Sequence, residues 1–312
     1  MTEMWNISSN PHIRDKRKSS DLMSLVLIAL LPATVFGVIN FGIDALKVIV
    51  LSVTGSVLTE YVYEKLMHKK VTVDDRSAEV TGLLLALNLP ASAPWYLPVL
   101  GSVFAILFVK QLFGGLGQNF VNPALAGRAF LLASYPSIMT NWVTPGADAV
   151  STATPLALLK AGNVADLPSI TDAFLGNIGG TIGETCALAL IIGGIYLIWR
   201  GVISWRMPVI YIATVFVLTA LIGRSGVRMP VYELFVGGLM LGAFFMATDY
   251  ATSPITPAGQ IIMAVGCGIL TTLIRIFGGY PEGVSYSILI MNLCVPLIER
   301  FTKPTIFGAL PK

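Results

Sequence analysis

Charge is what this sequence has least of. Asp, Glu, Lys and Arg make up 12% of its 312 residues, against roughly 25% in an average soluble domain. That is too little polar surface for a molecule bathed in water. Net formal charge is only +3 and no long block of like charge occurs, which leaves a nucleic-acid partner without an electrostatic footprint. Cysteine is scarce as well. Cys186, Cys267 and Cys294 stand singly in apolar stretches with no CxxC spacing, which argues against a zinc site or an iron–sulfur motif within the chain. Each remains available for packing, or for a metal shared with another subunit. The two histidines, His12 and His68, sit beside basic residues outside the apolar runs, so neither can serve an internal haem. A cleavable signal is also missing: the first apolar run follows the basic stretch Arg14, Lys16, Arg17 and Lys18 and continues without a small-residue cleavage site. The start of the chain therefore reads as a retained cytoplasmic arm.

What the chain has in abundance is apolar length. Hydrophobic residues reach 55%, and runs long enough to cross a bilayer fall at 22–39, 44–64, 95–110, 180–199, 206–222, 230–247, 257–277 and 284–299. Two further apolar segments, 78–89 and 123–134, are short and bounded by Pro, Asn and Gly. They read as half-length or broken helices. The fold class is thus all-α integral membrane, with about ten transmembrane helices.

With ten spans and a cytoplasmic N-terminus, all Lys and Arg residues except Lys47, Arg128, Lys160, Arg224, Arg228 and Arg275 fall on the cytoplasmic side. This asymmetry supports the orientation and puts both termini inside. The chain also echoes itself. Val109-Lys110-Gln111-Leu112-Phe113-Gly114-Gly115 closes one span and Ile274-Arg275-Ile276-Phe277-Gly278-Gly279 another, each followed by a Gly- or Pro-containing turn and a further apolar segment. Upstream of each lies a Gly-containing segment headed by an acid, Glu79 with Gly82 and Glu233 with Gly237 and Gly238. Two halves of five spans follow. An odd number of spans inserts the second half upside down, so that broken helices meet near the midplane. The predicted organisation is an arm at 1–20, a first five-helix repeat at 21–134, an extracytoplasmic loop at 135–178, a second, inverted repeat at 179–300 and a cytoplasmic tail at 301–312.

The loop carries Asp148-Ala149-Val150-Ser151-Thr152-Ala153-Thr154-Pro155-Leu156. A threonine hydroxyl in an extended, accessible segment can be esterified by the phosphate of FMN, and small neighbours such as Ala153 admit a modifying enzyme. Pro155 pushes Thr154 away from helix toward extended backbone. Thr154 is then presented rather than tucked into a turn, with Thr152 as its local competitor.

These residues, with Asn10-Pro11-His12-Ile13, Phe113-Gly-Gly-Leu-Gly-Gln-Asn-Phe-Val-Asn-Pro-Ala-Leu-Ala-Gly127, Ala247-Thr248-Asp249-Tyr250-Ala-Thr-Ser-Pro254 and Phe277-Gly-Gly-Tyr-Pro-Glu-Gly283, carry a resemblance along essentially the whole chain. The sequence resembles the RnfD family, flavin-carrying membrane subunits of Rnf complexes, and more distantly NqrB of the sodium-pumping NADH:quinone oxidoreductase. Asn10 stands where that family often has Ser, and Ala149 where Gly commonly follows the Asp. The resemblance implies a prokaryotic cytoplasmic-membrane subunit that relays electrons in a complex passing them between ferredoxin and NAD, coupled to outward movement of sodium ions or protons. It implies covalent FMN on Thr154, attached by a separate flavin transferase from FAD with a divalent metal assisting, and a second, noncovalent riboflavin within the helices. Partners would be the other Rnf-type subunits, an extracytoplasmic flavin subunit among them, and membrane lipid.

Candidate flavin contacts near the loop are Ser151, Thr152, Asn122, Pro123 and Arg128. A cation inside a short span suits a phosphate or a carboxylate, which singles out Arg128, while Asn122 before Pro123 also reads as a helix cap. Ion-handling candidates are the acids Asp249 and Glu79, toward the cytoplasmic ends of their spans, and Glu233 and Glu282 toward the outer ends. Asp249 leads because Thr248, Tyr250, Thr252 and Ser253 offer oxygen donors of the kind hard cations prefer. Two rivals share the fold, an inverted-repeat ion or solute transporter without redox chemistry and a docking scaffold; covalent flavin separates them from a relay.

Overall fold

The computed structural model describes residues 18–143, 154–163, 165–223, 229–279 and 282–303, and among these it is helical with no strand. Helix α1 (Ser19–Leu66) runs 48 residues, which at 1.5 Å per residue is about 72 Å, more than twice the roughly 30 Å of a bilayer core. That is length enough for two spans in series. The division falls at Gly42, whose φ of 65° and ψ of −145° no β-carbon tolerates easily, between the two apolar runs read from the sequence.

The buried face of α1 is rich in small residues, Ala29, Ala33, Gly37, Ala45, Ser52 and Ser56 beside Leu30, Val48 and Ile49, while Leu31, Val35, Ile39 and Leu58 are exposed. This inverts the pattern of a soluble helix. Large apolar side chains face the surroundings and small ones let neighbouring backbones approach, as packing in lipid requires. Thus α8 (Ala187–Trp199) crosses α1 so closely that a β-carbon on Gly193 would lie 2.1 Å from the Ala29 carbonyl oxygen. Similarly, α2 (Ser77–Leu87) lies against α1 with Gly82 over Ser52, whose hydroxyl donates to the Gly82 carbonyl at 2.8 Å.

Next come α3 (Tyr96–Val103), which continues as a π-helix through Phe104–Gln111, and α4 (Pro123–Ser134). Short helices α5 (Pro136–Met139), α6 (Pro155–Ala161) and α7 (Ile170–Leu175) follow. Beyond α8 lie α9 (Arg206–Ile222) and α10 (Pro230–Phe235), then α11 (Leu239–Leu241) with its π continuation Gly242–Met246. The chain ends its described course in α12 (Pro257–Phe277) and α13 (Val284–Thr302). Helix α12 packs on α9 and α13, and α1 on α8 and α4 on α13 join the earlier elements to the later ones. Among the described helices α1, α12 and α13 are long and apolar enough to cross a membrane, and 77–87, 96–111, 187–199 and 206–222 are shorter apolar helices.

Two expectations change. The apolar run 180–199 is helical only from Ala187; the preceding turn is drawn in toward α2, where Ile182 and Gly183 N–H groups donate to the Leu89 and Leu87 carbonyls. The stretch after residue 135 is also not one unstructured polar loop. Leu156 and Leu159 of α6, Ala173 of α7 and Ile178 bury themselves with Tyr232 and Val236 of the α10 region in a small second core. The ends of α7 are tied locally, and the Ser169 hydroxyl and then Asn177 hold the Asp172 carboxyl below the usual range.

Candidate functional site

Thr154 opens α6. Its backbone is extended (φ −62°, ψ 150°), as the following proline dictates, and its hydroxyl oxygen accepts from the Ala157 N–H at 3.2 Å. The residue is only 6% exposed, which corrects the sequence expectation of an accessible hydroxyl: in this state Thr154 is tucked in as a helix cap, because capping satisfies an otherwise orphaned amide. It borders a narrow cleft with Gly179, Gly180, Glu184, Gly237 and Glu282. Lys160, six residues on, donates to the carbonyls of Gly278 and, at 2.9 Å, Gly279, fastening α6 to the end of α12.

Arg128 does face carboxylates. One guanidinium nitrogen donates to Glu282, another to the Ser285 hydroxyl, and Glu184 Oε1 lies 3.6 Å away. All three side chains are largely buried. Glu282 also borders a neighbouring cavity of about 40 Å³, lined by Arg128, Met139, Trp142, Ser285 and Tyr286. Alongside, Arg275 of α12 is fully buried and donates to the carbonyls of Glu233 (2.8 Å), Val236 (3.2 Å), Gly237 (3.0 Å) and Glu282 (3.0 Å), with the Glu233 carboxylate 3.9 Å off. Those of residues 233, 236 and 237 lie where the chain breaks at Gly237 and Gly238, both at positive φ, between α10 and α11. The guanidinium fork supplies the donors that a continuous helix would have provided.

Asn122 lies elsewhere. It caps α4, accepting from Ala124 and Leu125 N–H at 3.0 and 3.2 Å, and it borders a cavity of about 70 Å³ with Ser77, Thr81, Lys110, Asn119, Pro123 and Asp249. Asn122 and Pro123 thus group with Asp249 rather than with Thr154. Of the four hydroxyls flanking Asp249, Thr252 donates to its carboxylate at 3.1 Å. Thr248 donates instead to the Phe244 carbonyl and Tyr250 to that of Val202. Glu79 sits half-buried in the first turn of α2, where the helix dipole favours an acid, and does not line the Asp249 cavity. Among the described residues no group of three or more His, Cys, Asp or Glu side chains could hold a metal ion. Ser151 and Thr152 lie outside the described residues.

Sequence reasoning passed over Glu60 and Glu184 and counted Lys110 as a cytoplasmic surface cation. Lys110 is 2% exposed, donating to Glu60 at 2.7 Å and to the Ser77 hydroxyl at 2.6 Å, and Gln111 donates to the same Glu60 oxygen. The signal was present: an acid in the middle of an apolar run is costly and implies a partner.

Comparison with known proteins agrees along the whole chain. The model of the NQR2, RnfD, RnfE family matches residues 6–308. The chain is 57% identical over 305 residues to the D subunit of the Na(+)-translocating ferredoxin:NAD(+) oxidoreductase complex of Acetobacterium woodii, covering 97% of this chain and 95% of that one. It is 49% identical to the D subunit of the proton-translocating ferredoxin:NAD(+) oxidoreductase complex of Clostridium ljungdahlii, covering 98% and 96%. It is 35% identical to the D subunit of the ion-translocating oxidoreductase complex of Citrobacter koseri, covering 98% and 99%. On matches of this extent, the chain belongs to the NQR2, RnfD, RnfE family.

Proposed function

We propose that this chain is the D subunit of a membrane complex that passes electrons between ferredoxin and NAD and couples that transfer to ion movement, and that FMN joined by a phosphoester to Thr154 makes it an electron relay. The full-length similarity to two proteins so named carries the first part. Their names differ in the ion, sodium for one and protons for the other, so the proposal covers either. We place the chain in a prokaryotic cytoplasmic membrane as about ten spans in two inverted halves, with the termini inside and α6 outside. The Gly42 division of α1, the break at Gly237 and Gly238 and the skewed Lys and Arg distribution support that arrangement.

The residues beside Thr154 fit a phosphoester. Glycines 179, 180 and 237 line the cleft beside the hydroxyl, and the oxygen can stay the cap of α6 after esterification, since it only accepts there. Trp142 and Tyr286 offer an aromatic wall to a planar ring in the adjoining cavity. Bound there, the flavin supplies the redox chemistry. The chain's own residues fix position: Lys160 locks α6 onto α12, and Arg128 with Glu282 and Ser285 holds α4 to α13. We assign the noncovalent riboflavin to the cavity of Asn119, Asn122 and Asp249, where amides and hydroxyls can meet ring and ribityl polar atoms. Because the Thr154 hydroxyl is capped and buried, the separate flavin transferase must act while α6 is undocked.

The test is in-gel fluorescence after denaturation, with the protein produced alongside a flavin transferase. Wild type and Thr154→Ser fluoresce and Thr154→Ala does not; fluorescence surviving in Thr154→Ala would assign the acceptor to another residue such as Thr152.

A further inference from the structure

The ionic cluster beside Thr154 holds more acid than base. Among the described residues, Arg128 of α4 and Arg275 of α12 face three carboxylates: Glu184 in the turn before α8, Glu233 of α10 and Glu282 in the turn before α13. All are under a tenth exposed except Glu282 at 15%. Arg275 lies nearest Glu233, and Arg128 donates to Glu282 while lying 3.6 Å from Glu184, so Glu184 shares its cation with a closer carboxylate. Glu184 Oε1 accepts no hydrogen bond, and Arg128 Nε meets no acceptor, although both atoms are buried in the cluster. Of the other groups close by, Tyr286 stands beside Arg128, Gly238 packs against Glu184, the Thr181 side chain lies near Glu184, and Lys160 is engaged by the Gly278 and Gly279 carbonyls.

A surplus buried negative charge is costly, and such a carboxylate lowers the cost by taking a proton. Oxygens of Thr181 and Glu282 stand near Glu184, but so does the Arg128 guanidinium at 3.6 Å, and a fixed cation at that distance opposes a metal cation while leaving room for a proton. We propose that the Arg128–Glu184–Glu282 cluster is a one-proton binding site, with the proton on Glu184, and that charge at Thr154 governs its occupancy. Glu184, Glu282 and Thr154 border the same cleft, so a negative phosphodiester on Thr154 would strengthen retention of the proton. This second part rests on the covalent-flavin reading. The step is a carboxylate taking one proton from solvent, with no electron transferred.

Infrared spectra of the purified complex at neutral pH, in H2O and D2O, test it. A protonated-carboxyl C=O band that shifts in D2O is expected in wild type and in Asp249→Asn, and absent in Glu184→Gln. Because Gln is a neutral isostere of the protonated acid, Glu184→Gln should melt at the wild-type temperature. A wild-type complex without the band, a band that persists in Glu184→Gln, or a large loss of thermal stability in that variant overturns the proton site. Protein made without the transferase should show a weaker band at the same pH; an equal band overturns the link to Thr154. Intact mass taken on the same samples keeps the readings apart, since absence of an adduct removes the flavin but leaves the comparison with Glu184→Gln to decide the proton site.

Discussion

Replacing Arg275 by Met removes the keystone of the broken α10–α11 segment. The guanidinium donates four hydrogen bonds to carbonyls of residues 233, 236, 237 and 282 and is fully buried against Glu233. Each net hydrogen bond contributes about 0.5–1.5 kcal/mol, so four give roughly 2–6 kcal/mol. Breaking a buried pair by deleting one partner costs about 3–5 kcal/mol. The two figures describe overlapping losses and are not to be added, so the expected destabilisation is about 3–5 kcal/mol. Arg275→Lys keeps the charge, but an ammonium has three donors and no planar fork for four carbonyls, so it should fall between, losing about 1–2 kcal/mol. Lys47→Ala is the control: its pair with Asp44 is 63% exposed on both sides and contributes about 0–1 kcal/mol. Reversible unfolding of the reconstituted protein in mixed micelles, followed by Trp fluorescence, gives the ranking. Arg275→Met unfolding within about 1 kcal/mol of wild type, the level of an exposed pair, would refute the reasoning.

Gly193→Leu should prevent α8 from seating on α1, because its β-carbon meets the Ala29 backbone at 2.1 Å; a loss above about 3 kcal/mol, read in the same unfolding assay, is expected. Asn122→Ala removes the α4 cap, costing about 1 kcal/mol, and should reduce noncovalent flavin recovered with the complex while leaving covalent fluorescence unchanged. Asp249→Asn should weaken ion coupling, measured as ion-dependent turnover in proteoliposomes, more than flavin content; equal losses would indicate misfolding.

Helix ends with local signals were legible in the chain. Asn122-Pro123 and Thr256-Pro257 are cap-and-proline pairs, and α4 and α12 start there. Gly237 and Gly238 were noted in the sequence, but 230–247 read as one apolar run; the structure breaks it there, with both glycines at positive φ. Features made by distant partners were not legible. Arg128 announces that it needs an anion, but Glu282 lies 154 residues away and Glu184 sits in a run whose apolar composition suggested continuous helix. Local composition does not reveal that 180–186 is pulled into a turn by carbonyls of Leu87 and Leu89. The burial of Thr154 was equally hidden, because it depends on α6 docking against α10. Pro155 set the backbone of Thr154, and tertiary packing set its exposure.

The central claim is an adduct on one hydroxyl, and intact-mass measurement of the native protein from cells with a working transferase weighs it directly. The account predicts the mass of the chain plus one esterified FMN in wild type and the bare chain in Thr154→Ala. A wild-type protein with only the mass of its amino acids would contradict it.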